Sequence, residues 1–151
     1  MLHLSEIFKV YELFREDVGV KESQELVGAY ALSDGIAIAE DAFGNIIGAA
    51  LFLHVSDPYD VKLNGQSVKE SPSGRYVYFS QLYVRPDHRD ALGKTMWELI
   101  YKSFERCPGA IRWAFRRFDR GSDSLHVREL SFNFPESPKE PEEHLLEVKN
   151  G

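Results

Sequence analysis

Apolar residues at helical spacing open the chain. The pattern predicts a first helix that begins at a cap on Ser5 and stops near Gly19, because apolar side chains recur every three or four residues at Ile7, Val10, Tyr11, Phe14 and Val18. A shorter and weaker second helix is predicted after a cap at Ser23, with an interruption at Gly28.

Apolar and β-branched runs then replace the helical pattern. Residues 36–55 read as two strands joined by a turn at Asp41 to Asn45, and the second strand is apolar on both faces, which favours a place inside a sheet. Residues 57–74 are polar and read as a loop with a small hairpin at Asn64-Gly65. A long strand, RYVYFSQLYV, follows at 75–84.

The rest of the pattern predicts one more helix and two more strands. An apolar stripe at Leu92, Met96, Leu99, Ile100 and Phe104 marks a helix that ends at the CPG of residues 107–109. The strands AIRWAFRRF, residues 110–118, and LHVRELSFNF, residues 125–134, flank a turn. The order predicts a single α/β (α+β) domain with a mixed central sheet flanked by helices, in which residues 75–118 form a right-handed crossover between parallel strands.

Length and composition are consistent with a single globular domain. The chain has 151 residues, of which 43% are hydrophobic and 28% charged, enough for a core of its own. We assign the domain to residues 1–134 and treat residues 135–151 as an acidic, Pro- and Glu-rich tail. No apolar run reaches the roughly 20 residues that span a bilayer, so no membrane partner is expected.

Targeting and metal-binding signals are not evident. The first residues, MLHLSEIFKVYELF, carry charges and no small-residue cleavage site, and Cys107 is the one cysteine, so a reducing, cytoplasmic location is expected. The five histidines are scattered without metal-ligand spacing, and no metal site is predicted.

Charge is divided along the chain. Residues 1–75 contain 6 Lys and Arg against 12 Asp and Glu, whereas residues 76–134 contain 10 against 7. The basic middle suits a small anionic ligand better than a nucleic acid, which usually needs a larger basic face, although an ordinary uneven surface remains an alternative.

The stretch LYVRPDHRDALGKTMWELI, residues 82–100, is the candidate binding site for a small anionic ligand. A helix that starts directly after a strand aims its free N–H groups and positive dipole end at one point. Positive or donor side chains surround that point at Arg85, His88, Arg89 and Lys94, and Gly93 permits close approach to the backbone.

This spacing resembles the acyl-CoA pyrophosphate loop of the GNAT acyltransferase superfamily (general N-acetyltransferases). LYVRPDHR matches the end of the family's strand, and GKTMWELI matches its last loop glycine and helix. Two departures stand out. Asp90, Ala91 and Leu92 lie between Arg89 and Gly93, so the first motif glycine is missing and the loop is one residue short. No helix follows the strand of residues 110–118, where the family usually has one, and the chain goes straight into the turn DRGSDS.

The resemblance implies a function and a set of site residues. The function is acyl-CoA-dependent N-acyl transfer, with acetyl-CoA as co-substrate, to a primary amine of a small molecule or a protein. The alternative is a catalytically inactive GNAT-like domain that serves in binding or assembly. The pantetheine arm would lie beside Gln81, Leu82, Tyr83 and Val84, and the pyrophosphate beside Arg89, Asp90, Ala91, Leu92, Gly93 and Lys94.

The catalytic assignments are open. The amine needs a base, for which His54, Asp57 and His126 are candidates, and the leaving thiolate needs a proton, for which Tyr78 and Tyr83 are candidates. Each of these residues has the alternative reading of a structural strand or turn residue. The acidic first half favours a positively charged acceptor. Self-association into a homo-oligomer stays open.

Overall fold

The computed structural model describes residues 2–18, 20–60, 70–90, 93–119 and 122–130. The helices and strands follow in the order α1 (Leu4–Val18), α2 (Val20–Leu32), β1 (Ile36–Glu40), β2 (Ile46–Val55), β3 (Tyr76–Val84), α3 (Lys94–Glu105), β4 (Arg112–Asp119) and β5 (Ser122–Glu129). Short 3-10 turns lie at Pro58–Asp60 and Pro86–His88. The predicted order of elements is confirmed.

The five strands form one mixed sheet in the order β1-β2-β3-β4-β5. Neighbouring strands are antiparallel except β3 and β4, which are parallel and are joined by α3. Parallel neighbours need such a crossover because the chain must return to the starting edge of the sheet. The predicted β–α–β unit is therefore present.

Helices cover both faces of the sheet. On one face, α1 and α2 bury Val10, Leu13, Phe14, Val27 and Tyr30 against β1, β2 and β3. On the other, α3 buries Trp97, Leu99, Ile100 and Phe104. Nine of the ten residues of β2 are buried, which explains why this strand is apolar on both faces. We call these the α1/α2 face and the α3 face.

The starts of the first two helices differ from the predicted ones. α1 begins at Leu4, because the Glu6 carboxylate accepts a hydrogen bond from the His3 N–H at 3.0 Å, while the His3 carbonyl accepts from the N–H groups of Glu6 and Ile7. Ser23 does not cap α2; it lies inside the helix and is fully buried. Gly28 does not interrupt α2, which continues to Leu32.

The predicted hairpin between β1 and β2 is confirmed. Asp41 organises its turn, since one carboxylate oxygen accepts from the N–H groups of Phe43 and Asn45, each at 2.9 Å. Hydrogen bonds from Asn45 lower the pKa of Asp41. The last strand begins three residues earlier than predicted, at Ser122. The predicted Asn64-Gly65 hairpin and the 135–151 tail lie outside the described residues.

Candidate functional site

The two parallel strands separate halfway along their length. Their pairing ends at Phe79 and Phe115, although β3 continues to Val84 and β4 to Asp119. Residues Gln81–Val84 therefore pair with β2 on one side only, and together with Ser80 they leave a wedge open towards β4. We call this opening the β3/β4 wedge. An extended ligand could add its own hydrogen bonds to the open edge of β3.

A β-bulge lies where the wedge begins. Leu51 pairs with Gln81 and Phe52 pairs with Phe79, so Ser80 is an extra residue on β3 without a partner in the register. Bulges bend a strand and re-aim its side chains, and they are common beside functional sites. Here the bulge coincides with the last β3–β4 pair.

The far end of the wedge reaches the start of α3. The first intrahelical hydrogen bond of α3 joins the Trp97 N–H to the Gly93 carbonyl, at 2.9 Å. The N–H groups of Lys94, Thr95 and Met96 thus have no acceptor inside the helix and point out of its N-terminus. Gly93 has a φ of 63°, in the left-handed region. This backbone conformation is by itself a sufficient reason for glycine at the position.

Asp90 occupies part of that N-terminus. Its carboxylate oxygen accepts a hydrogen bond from the Lys94 N–H at 3.0 Å, and its carbonyl accepts from the Gly93 N–H. A carboxylate at this end is stabilised by the helix dipole. The chain thus supplies its own anion where the GNAT resemblance places a phosphate.

Arg89 ties the turn to the end of β3. Its Nε donates to the Val84 carbonyl at 2.6 Å, and its guanidinium carbon lies 5.4 Å from the centre of the Tyr83 ring. That ring packs on Phe14 of α1, with 5.9 Å between centroids. The structure thus brings together the predicted residues Gln81 to Val84 on the wedge and Arg89, Asp90, Gly93 and Lys94 at its end. Ala91 and Leu92 lie outside the described residues.

Two of the three predicted bases lie away from this turn. His54 is near the end of β2, where its Nε2 lies 2.6 Å from the Gly74 carbonyl oxygen. Asp57 is exposed and accepts a hydrogen bond from the Tyr59 N–H at 2.9 Å, which makes it a turn residue. Both positions belong to the end of the sheet where β3 starts.

His126 and Tyr78 lie close to the wedge. His126 is 4% exposed, stacks on Phe115 with 5.1 Å between ring centroids, and lies 3.1 Å from the Ser124 hydroxyl. Tyr78 is 5% exposed and belongs to the cluster on the α1/α2 face. These two candidates flank the last β3–β4 pair from opposite faces of the sheet.

A pair of hydroxyl groups was missed by the sequence reasoning. The Tyr30 hydroxyl of α2 and the Ser80 hydroxyl of the bulge share a hydrogen bond. Burial raises the pKa of Tyr30, the Ser80 hydrogen bond lowers it, and the charge of Glu70 raises it further. Burial also raises the pKa of Glu70, against the effect of His54. No local motif could have indicated a pair whose members are 50 residues apart.

A separate open cleft lies between α1, the β1–β2 turn and the Pro86–His88 turn. Its volume is about 500 Å³, and its lining includes Phe8, Glu12, Asp41, Ile47, Arg85 and His88. Both signs of charge are present, so the cleft has no evident preference for an anion or a cation.

Two kinds of feature are absent from the part of the chain that the structure describes. No helix there is long and apolar enough to cross a membrane. No group of three or more His, Cys, Asp or Glu side chains among the same residues could hold a metal ion.

Comparison with known proteins identifies the fold. Neither a protein-family model nor a curated protein sequence matches the chain. Solved structures do. The GphF GNAT-like decarboxylase in complex with isobutyryl-CoA matches with a TM-score of 0.60 and 16% identity, over 79% of this chain and 65% of the other.

Two further structures have the same architecture. The Escherichia coli GNAT family N-acetyltransferase YhbS in complex with CoA matches with a TM-score of 0.54 and 15% identity, over 90% of this chain and 82% of the other. The loading GNATL domain of CurA from Lyngbya majuscula matches with a TM-score of 0.54 and 17% identity, over 79% and 63%. This chain spans less than two thirds of the GphF and CurA chains. It has the GNAT fold, as predicted.

Proposed function

We propose that the protein is an acyl-CoA-dependent N-acyltransferase that moves an acetyl group from acetyl-CoA to a primary amine of a small molecule or a protein. The observation that carries this proposal is the β3/β4 wedge, which starts at the Ser80 bulge and ends at the N-terminus of α3. Such a groove suits a linear thioester donor whose reactive end lies at the bulge and whose charged end lies at the helix.

The open edge of β3 would hold the pantetheine arm. Amide groups of the arm can pair with the backbone of Gln81 to Val84 as an added strand would. Arg89, Gly93 and Lys94, together with Asp90, Ala91 and Leu92 of the same loop, are the proposed surroundings of the pyrophosphate. Positive side chains and helix N–H groups are the donors that phosphates prefer.

The reaction requires two proton movements. The amine nitrogen attacks the thioester carbonyl carbon, the C–S bond breaks, the nitrogen loses one proton and the sulfur gains one. Backbone N–H groups at the wedge can stabilise the negative charge on the carbonyl oxygen. His54, Asp57 and His126 stay predictions as the base that passes the amine proton to solvent; His126 stacks on Phe115 at the last β3–β4 pair, but on the α3 face of the sheet. Tyr78 and Tyr83 stay predictions as partners of the thiolate.

The acceptor and the setting of the reaction are part of the proposal. An acidic first half of the chain favours a cationic amine, and no nucleic acid is needed as a partner. We place the protein in the cytoplasm, where its one cysteine, buried Cys107, would stay reduced. Whether two copies associate is a question for light scattering at assay concentrations.

Asp90 favours a second candidate function. Because its carboxylate accepts from the Lys94 N–H, it competes with any phosphate for that donor. A GNAT-like domain that has given up CoA and catalysis, and serves in binding or assembly, would tolerate such an anion.

A thiol-release assay separates the two functions. The purified protein is mixed with acetyl-CoA and a panel of cationic, neutral and anionic amines, and free thiol is followed with and without amine. Amine-dependent release and an acetylated amine in the mass spectrum are expected. Release without amine is measured separately, because hydrolysis of the thioester also frees the thiol. No turnover with any amine, together with no CoA binding by calorimetry, would favour the non-catalytic function.

A further inference from the structure

Two hydroxyl groups meet where the β3/β4 wedge begins. Ser80 directly follows Phe79, whose pairing with Phe115 is the last between β3 and β4, and its hydroxyl is hydrogen-bonded to that of Tyr30. Tyr30 belongs to α2 and is 8% exposed, so the pair lies at the inner end of the wedge on the α1/α2 face. In the proposed reaction this is the position of the thioester.

The pair keeps one hydrogen available. Each hydroxyl carries one donor hydrogen and can accept, and the bond between them uses one hydrogen. The other hydrogen can be donated to a ligand atom at the inner end of the wedge. Ser80 is the extra residue of the β3 bulge and has no partner in the register with β2. Bulges re-aim the side chains of a strand, and here the Ser80 side chain meets Tyr30 of α2.

On the basis of the proposed function, we infer that the Tyr30–Ser80 pair is a catalytic hydrogen-bond donor, which stabilises the negative charge on the departing sulfur without giving up its proton. The amine attacks the carbonyl carbon and the C–S bond breaks. The thiolate, held by the hydroxyl pair, then takes its proton from water, and the proton lost by the amine goes to solvent.

The surroundings of Tyr30 favour donation over proton transfer. Burial and the charge of Glu70 raise the pKa of Tyr30, against the lowering effect of Ser80. With its pKa raised above the ordinary tyrosine value of about 10, the phenol holds its proton more firmly, so moving that proton to the thiolate is disfavoured. The other titratable groups in the same cluster are Tyr78, which is buried, and Tyr76 and Tyr83, which pack against it. Preorganised donors of this kind stabilise charge in a water-poor site.

Three variants test the hydrogen-bond donor. Tyr30→Phe keeps the ring and removes the hydroxyl, and Ser80→Ala removes its partner. Each is expected to lower kcat by about a hundredfold, with little change in the KM for acetyl-CoA. The double variant should be no slower than the slower single one, because the two hydroxyls act as a unit. Tyr101→Phe, on the α3 face, is the matched control and should keep full activity.

Replacement of Tyr30 by 3,5-difluorotyrosine separates catalysis from packing. This residue keeps the shape and the hydroxyl, but its phenol ionises in the neutral range. The plot of kcat against pH should then gain a descending limb above neutral pH but well below about pH 10, a range in which the unmodified protein should show none from Tyr30. A purely structural tyrosine would give the same profile in both proteins.

The outcomes distinguish the two proposals. If the unmodified protein gives no amine-dependent thiol release with any acceptor of the panel, the proposed function fails, and this inference with it. If the unmodified protein is active but Tyr30→Phe is equally fast, or the fluorinated protein has an unchanged pH profile, the proposed function stands and the role of Tyr30 and Ser80 is wrong.

Discussion

Asp90→Asn should tighten the binding of CoA. The carboxylate of Asp90 now accepts from the Lys94 N–H at 3.0 Å, at the point where the helix would receive a phosphate. Asparagine can accept the same hydrogen bond through its amide oxygen, so the turn should keep its shape. Only the negative charge is removed, together with its favourable interaction with the α3 dipole, about 0.3–1 kcal/mol of folding free energy.

The size of the effect follows from the distances. A phosphate oxygen that took the Lys94 N–H would displace the carboxylate, and the two anions would then stand about 6 Å apart in water, at a cost of about 0.7 kcal/mol for each pair of unit charges. A diphosphate carries at least two such charges, so the repulsion is about 1.4 kcal/mol, or about tenfold in Kd. Salt should remove the gain, because the screening length falls from about 10 Å at 0.1 M to about 3 Å at 1 M.

Isothermal titration calorimetry at low and high salt measures the Kd of CoA for the Asp90→Asn protein and for the parent. CoA is the ligand, and pantetheine, which has no phosphate, is the ligand control and should bind both proteins equally. Asp87→Asn is the matched protein control, because it removes one charge from the neighbouring turn, where Asp87 lies 3.8 Å from His88. The reasoning would be refuted by an Asp90→Asn protein that is folded and binds CoA no more tightly than the parent at low salt.

Three further predictions concern the turn and the core. Arg89→Gln should weaken CoA binding severalfold in a salt-dependent way, measured by the same titration, because it removes both a positive charge and the hydrogen bond to Val84. Gly35→Ala should destabilise the fold by about 1–3 kcal/mol in urea unfolding, since its Cβ would lie 2.2 Å from the Phe52 carbonyl oxygen; Gly28→Ala, which meets nothing within 4 Å, should instead stabilise α2 by about 0.5–1 kcal/mol. Cys107, whose pKa burial raises from 9.0 to about 12, should resist alkylation in the native state and react once unfolded. The free energy of unfolding should keep the contribution of this protonated thiol below pH 9.0 and lose it as the pH rises towards about 12, because the unfolded chain ionises first.

The order of the elements could be predicted because it depends on local periodicity. An apolar stripe defines α3, and a two-sided apolar run defines β2, whatever the rest of the chain does. Helix starts were less predictable because several side chains compete to cap them. Ser5 and Ser23 are both good caps by type, yet Glu6 closes the start of α1 and Ser23 is buried within α2.

Part of the candidate site could likewise be predicted from the sequence, and part of it could not. The strand-to-helix turn is visible in the sequence because its residues are contiguous, and the negative charge at Asp90 could be read there directly. The Ser80 bulge could not be, since a bulge is a property of the register between two strands, and β2 and β3 are separated by 20 residues of chain. The Tyr30–Ser80 contact depends on that bulge and on the packing of α2, so it required the tertiary structure.

The two ends of the proposed donor site make different demands on a ligand. At the bulge, the pairing of β3 with β4 has ended and a hydroxyl pair offers a donor, so a thioester there does not have to replace a β4 partner of β3. At α3, the chain already satisfies the Lys94 N–H with Asp90, so a phosphate must displace a carboxylate. Affinity for the donor should therefore depend more on the pantetheine arm than on the nucleotide. Comparing kcat/KM for acetyl-pantetheine and acetyl-CoA tests this balance. A nearly equal pair of values would agree with it, and a large preference for acetyl-CoA would show that the phosphate end dominates despite Asp90.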